Sequence, residues 1–255
     1  MSGERNASAT KPEIRVYPDP PSLAEAAAVL FISLAAESAA RGALFSVALS
    51  GGTTPRRLHA RLAEPEMAAQ VAWERVHIFW GDERCVPADH PESNYRMGRE
   101  TLLDRVPIPG GNIHPIHCEA QLSQAAEAYQ AELRGFFSPG DTPIFDLIIL
   151  GLGEDGHTAS LFPGSPGLQE GERWVIPVEH RSPPAPLVDR VTLTPVLINA
   201  AAQVIFLVAG AGKASITARV LSGAYQPELL PAQIIQPTHG RLTWLLDAAA
   251  AAGLN

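Results

Sequence analysis

Four mainly apolar runs, each ending at glycine and interleaved with stretches of helical spacing, limit what this 255-residue chain can fold into. ALFSVALS (43–50), RVHIFWG (75–81), DLIILG (146–151) and QVIFLVAG (203–210) carry apolar residues at consecutive rather than alternate positions. A strand reads that way when helices cover both faces of its sheet. Strands separated by helices therefore predict parallel βαβ units in one doubly wound α/β domain, with a mainly parallel sheet.

Helical stretches are expected at Pro21–Arg41, from Pro55 through PRRLHARLA, at Asn94–Arg105, Leu122–Phe137 and Lys213–Leu221, and in the tail DAAAAAGL. WVIPV (174–178) adds a further strand candidate. The Pro- and Gly-rich segment 163–189 reads as the longest loop, suited to covering a site or to irregular surface. A single domain over 1–255 is the economical reading, with residues 1–12 expected to be loose.

A net charge of −8 with no Lys/Arg cluster argues against a nucleic-acid partner. No apolar run reads as long enough to span a bilayer, and MSGERNASATKPEIR lacks the apolar core of a secretory signal, so no membrane partner and a cytoplasmic setting are expected. Cys85 and Cys118 differ in context and are expected to be reduced. The histidines show no paired metal-ligand spacing, and the nearest approach, His114-Pro115-Ile116-His117, reads as structural, so metal-free chemistry is the expectation.

Chemistry concentrates in four loops at strand ends, where open α/β sheets bind ligands. Ser50-Gly51-Gly52-Thr53-Thr54-Pro55 precedes a helix. Its glycines allow close backbone approach and its helix start offers free N–H groups, so it suits a phosphate, although a plain turn uses the same residues. Trp80-Gly81-Asp82-Glu83-Arg84 puts a guanidinium suited to phosphate beside Asp82, which suits a sugar hydroxyl; a surface ion pair is the alternative.

Gly151-Leu152-Gly153-Glu154-Asp155-Gly156 matches G-x-G-x-x-G formally. Its two carboxylates would repel a pyrophosphate, and Pro163-Gly164 leaves no room for the required helix. The loop suits acid–base work instead. An imidazole titrates at about pH 6.5, so His157 can take a proton from water and return it, with Asp155 fixing its tautomer. Gly210-Ala211-Gly212-Lys213 resembles part of a Walker A loop but lacks its first Gly and its Ser or Thr; Lys213 at a helix start makes sense beside an anion.

SGGTTP, WGDER with the downstream SNYRM, LGLGEDGHTASLFPGS, RVTLTP and VAGAGKA together resemble the 6-phosphogluconolactonases, in matching order over almost the whole chain. The resemblance implies a Rossmann-like α/β fold shared with sugar-phosphate isomerases and deaminases. It also implies hydrolysis of 6-phospho-D-glucono-1,5-lactone in the oxidative pentose phosphate pathway, with a phosphorylated sugar lactone as small-molecule partner and no cofactor. By motif, His157 matches the catalytic histidine and Asp155 its acidic companion. Ser50, Gly51, Gly52, Arg84 and Lys213 match sugar-phosphate-facing loops, to which Thr53 and Asp82 are adjacent, and Arg190 before Val191 offers a second guanidinium. Two rivals stand beside this reading: a glucosamine-6-phosphate deaminase, whose pattern carries an acidic residue soon after the histidine that GHTASLFPGS lacks, and a non-catalytic sugar-phosphate sensor.

Overall fold

The computed structural model describes residues 12–118, 121–137 and 145–254. Its main sheet contains the four expected strands: β2 (Phe45–Leu49), β3 (Val76–Trp80), β5 (Leu147–Leu150) and β8 (Gln203–Val208). Every residue of β2, β5 and β8 is buried, as consecutive apolar positions require. Two further strands complete it, β1 (Glu13–Tyr17) and β9 (Arg241–Asp247), in the all-parallel order β1-β9-β8-β5-β2-β3. β1 escapes the pattern because it is an exposed edge strand whose charged residues alternate with Ile14 and Val16. β9 escapes because no breaker follows it: Asp247 ends the strand and caps the next helix through Ala250 N.

The helices are α1 (Pro20–Ala40), α2 (Thr53–Leu62), α3 (Pro65–Ala68), α4 (Asn94–Thr101), α5 (Leu122–Phe136), α6 (Pro195–Ala200), α7 (Ala214–Ser222) and α8 (Ala248–Ala251). Asp19 starts α1 by accepting from Ser22 N at 2.8 Å, followed by Pro20 and Pro21 in the first turn. By length and composition α1 suffices to cross a bilayer, against the expectation that no run here does. Here Leu23, Ala27, Ala28 and Phe31 on its inner face are fully buried, with Phe31 edge-on to Phe45 at 5.2 Å. α4 stops short of its expected end at Arg105, because Leu103–Arg105 tightens into a 3-10 turn. The expectation for residues 1–12 falls, apart from Pro12, outside the described residues.

Strand order decides where a ligand goes. From β2 the chain moves outward to β3, then returns past β2 to β5 and continues to β8 and β9. The direction reverses between β2 and β5, so the loops leaving their carboxyl ends diverge and open a crevice.

The expected parallel sheet forms, and a small one forms beside it. β4 (Asp82–Arg84), β7 (Arg190–Leu193) and β6 (Val175–Val178) build a second, antiparallel sheet in the order β4-β7-β6. It divides the expected 163–189 loop, which also holds a 3-10 turn at Pro166–Gln169. β4 is only three residues long and charged, too short and polar for a periodicity signal. Pairing brings Arg84 opposite Arg190.

The cysteines are also not reduced: Cys85 and Cys118 form a disulfide, with Cα atoms 5.0 Å apart. Their different local contexts concealed a pairing made by tertiary structure, with Cys85 just after β4 and Cys118 beyond the bridge of Ile113 to Ile78. A crosslink across a separation of 33 residues is worth about 3–4 kcal/mol by loop entropy. Adding a thiol reductant is therefore expected to lower the Tm by several degrees in calorimetry, and an unchanged Tm would show the cysteines unpaired in solution.

Candidate active site

The crevice is a cleft of about 570 Å³, and all ten expected site residues line it: Ser50, Gly51, Gly52, Thr53, Asp82, Arg84, Asp155, His157, Arg190 and Lys213. They arrive from separate elements, which is why no local motif contains the site.

Gly52 holds φ +101°, a conformation that favours glycine, and starts α2 without a side-chain cap. Gly51 is glycine for another reason: a Cβ there would lie 1.8 Å from Asn94 Oδ1. Asn94 itself went unnoticed in the sequence. It opens α4, donates from Nδ2 to the Asp82 carbonyl at 2.9 Å, and lines the cleft between the Gly51 loop and β4. SNYRM was its only sequence signal, and that motif does not show the long-range contact with Gly51.

Asp82-Glu83-Arg84 is not a surface ion pair, because Asp82 and Glu83 are 5% and 3% exposed. Glu83 holds the start of α4, accepting from the backbone N–H groups of Arg84, Asn94 and Tyr95 and from Ser93 Oγ. Burial pushes its carboxyl up to about 7 against the pull of those backbone donors.

Arg84 donates from Nη1 to the Glu92 carbonyl at 2.6 Å, while Arg190 donates from Nη2 to the Pro186 carbonyl at 3.0 Å and lies over the Phe162 ring. The Nε of each is buried without a partner among the described residues. Burial lowers the Arg190 pKa, the Asp82 charge opposes that, and the Arg84 charge lowers it further. Two neighbouring cations with unmet donors cost free energy in isolation, and an anion between them would recover it. Lys213, at the end of a 3-10 turn just before α7, adds a third positive charge to the cleft wall.

The loop after β5 carries the base. His157 Nδ1 lies 2.5 Å from Asp155 Oδ1, which also accepts from His157 N at 3.1 Å. An ionised carboxylate only accepts, so in the neutral ring the proton sits on Nδ1 and the lone pair on Nε2. Burial by itself would raise the Asp155 carboxyl, but the hydrogen bonds and charge of His157 outweigh it and hold the group below its ordinary range. No helix follows Gly156, which removes the dinucleotide reading structurally as well as electrostatically.

Gly153 leaves the space this pair needs. A Cβ there would fall 2.1 Å from His157 Nδ1 and 2.7 Å from Asp155 Oδ1. Gly153→Ala is expected to displace the imidazole and lower kcat at least tenfold with an unchanged far-UV spectrum, since small misplacements of reacting groups cost about 10²-fold. Wild-type kcat in that variant would dissociate the pair from turnover.

His59 and His114 are held in the packing. His59 is fully buried, and burial lowers its pKa to about 4. His114 stacks on Phe79 at 4.3 Å and bonds Glu132 at 2.8 Å. Among the described residues no group of three or more His, Cys, Asp or Glu is arranged to hold a metal.

The chain has relatives among known proteins. Residues 18–244 match the family described as glucosamine-6-phosphate isomerases/6-phosphogluconolactonase. The chain belongs to this family. A 6-phosphogluconolactonase from Synechocystis sp. is 43% identical over 247 residues, covering 96% of this chain and 99% of the relative. The Homo sapiens 6-phosphogluconolactonase is 44% identical over 213 residues, covering 82% and 80%. Among solved structures, the Trypanosoma brucei 6-phosphogluconolactonase superposes with a TM-score of 0.86 at 32% identity, covering 96% of this chain and 99% of that one. A monomeric glucosamine-6-phosphate deaminase gives a TM-score of 0.79 at 18% identity, covering 94% of this chain and 99% of the deaminase, which shows a shared fold alone.

Proposed function

We propose that this family member hydrolyses 6-phospho-D-glucono-1,5-lactone to 6-phospho-D-gluconate, in the oxidative pentose phosphate pathway, with His157 as general base toward water. The observation that carries the mechanism is the 2.5 Å His157–Asp155 pair in the same cleft as the partnerless Nε atoms of Arg84 and Arg190. A base and an anion site in one crevice suit a reaction at one end of a phosphorylated sugar.

A lactone carbonyl is already electrophilic, so the reaction asks for a held substrate, an activated water and stabilisation of the oxyanion. Arg84, Arg190 and Lys213 hold the 6-phosphate, with the uncapped start of α2 at Gly52–Thr53 contributing N–H groups. Asp82 accepts a ring hydroxyl. His157 Nε2 removes a proton from water as its oxygen bonds to C1, giving a tetrahedral intermediate, and Asp155 stabilises the imidazolium. Collapse reforms the carbonyl and breaks the C1–O5 bond, and the imidazolium returns its proton to O5. We place the enzyme in the cytoplasm, acting on this small molecule, and the net charge of −8 disfavours a nucleic-acid partner.

Two incubations test the function. With freshly prepared lactone, acid release should exceed the enzyme-free rate by orders of magnitude, and glucosamine 6-phosphate should release no ammonia. Ammonia release without lactone acceleration would favour the deaminase reading, and binding without either reaction would favour a sensor.

A further inference from the structure

Ser160 lies three residues beyond His157 and is fully buried. Its Oγ donates to Asp82 Oδ2 at 2.6 Å, and its backbone N donates to Thr192 Oγ1 at 3.2 Å. One residue thus joins the loop of the base to β4, which carries Asp82, and to β7, which carries Arg190. The preceding Ala159 holds φ +48°, an unfavourable conformation for a residue with a Cβ. Strain of that kind persists only where the surroundings enforce it, and here the flanking bonds do: Thr158 Oγ1 to the Gly151 carbonyl at 2.9 Å, Leu161 N to the Thr158 carbonyl at 2.9 Å, and both Ser160 contacts.

We propose that Ser160 is a positioning residue for substrate recognition: its hydroxyl fixes the Asp82 carboxylate as the acceptor for a ring hydroxyl of the sugar lactone. An ionised carboxylate has about four acceptor sites and no donor. Ser160 occupies Oδ2, and Asn94 Nδ2 approaches Oδ1 at 3.4 Å. With both oxygens steered from the protein side, the remaining lone pairs serve the cleft, where only a donor fits. Because Ser160 belongs to the His157 loop, the same bond sets the spacing between the held hydroxyl and the base. The inference rests on the assignment of Asp82 to substrate in the proposed function.

The test is a double-mutant cycle of Ser160→Ala and Asp82→Asn, reading kcat and KM for the phosphorylated lactone and the pH profile of kcat. Ser160→Ala should raise KM about tenfold, as expected for loss of a hydrogen bond to a charged group. The pH profile of kcat should stay in place because His157 and Asp155 are untouched. In the Asp82→Asn background the same change should cost less than about threefold, since its target is already altered. An equal factor in both backgrounds, or a loss confined to kcat, would overturn the proposal by making Ser160 a structural residue of the loop. If Ser160→Ala does not fold, Ser160→Cys keeps nearly the same volume with a weaker donor, and the same comparison applies. Wild-type protein inactive on the lactone would instead defeat the proposed function, and an unchanged KM in Asp82→Asn would defeat its assignment of Asp82.

Discussion

His157→Ala is expected to lower kcat on the phosphorylated lactone by about 10²–10⁴, the contribution of a positioned general base, while affinity for 6-phosphogluconate changes less than a few-fold. The separation follows from the geometry. Nδ1 is committed to Asp155 at 2.5 Å, and the cations assigned to the phosphate lie on other elements, so truncating the imidazole removes the base and spares the anion grip. The lactone hydrolyses spontaneously, so the rate is read above an enzyme-free control. Binding of the product by calorimetry supplies the second number. Parallel losses in both would mean that the imidazole serves binding, and wild-type turnover would remove it from the mechanism.

Arg84→Ala should discriminate between substrates. A charge-assisted hydrogen bond is worth about 1.5–3 kcal/mol, roughly 10- to 100-fold in kcat/KM. That loss is expected for the phosphorylated lactone, with less than about threefold for unphosphorylated gluconolactone. The expectation draws on the buried Nε of Arg84 and on its register opposite Arg190, which brings a second guanidinium to the same strand pair. Arg190→Ala should show the same selectivity with some loss of stability, because Arg190 is 4% exposed and packs over Phe162. Equal losses for both lactones would refute the phosphate role of either arginine.

The sequence disclosed the parallel core of the fold better than the contacts between distant segments. Strands buried on both faces announce themselves, so β2, β3, β5 and β8 were legible, and with them the four loops at their ends. His157 stood out because a titratable ring on a glycine turn after such a strand has few structural reasons to be there. β1 and β9 were not legible, since an exposed edge and a strand running straight into alanines lack those marks. The second sheet, the Cys85–Cys118 bond, Asn94 against Gly51 and Ser160 on Asp82 share a different cause. Each is a contact between segments distant in sequence, and no local spacing encodes it. Glu83 shows the converse, a carboxylate beside site residues whose work is to start α4.

The pairing of His157 with Asp155 is the central claim, and the pH dependence of kcat/KM in wild type and Asp155→Asn, measured side by side, tests it most directly. In wild type Asp155 stays ionised on the acid side, because its carboxyl is held below the ordinary range. Replacing the carboxylate removes the charge that favours imidazolium. The plateau should therefore drop by up to about 10⁴, since the tautomer is no longer fixed. An Asp155→Asn profile with the wild-type plateau would contradict the account.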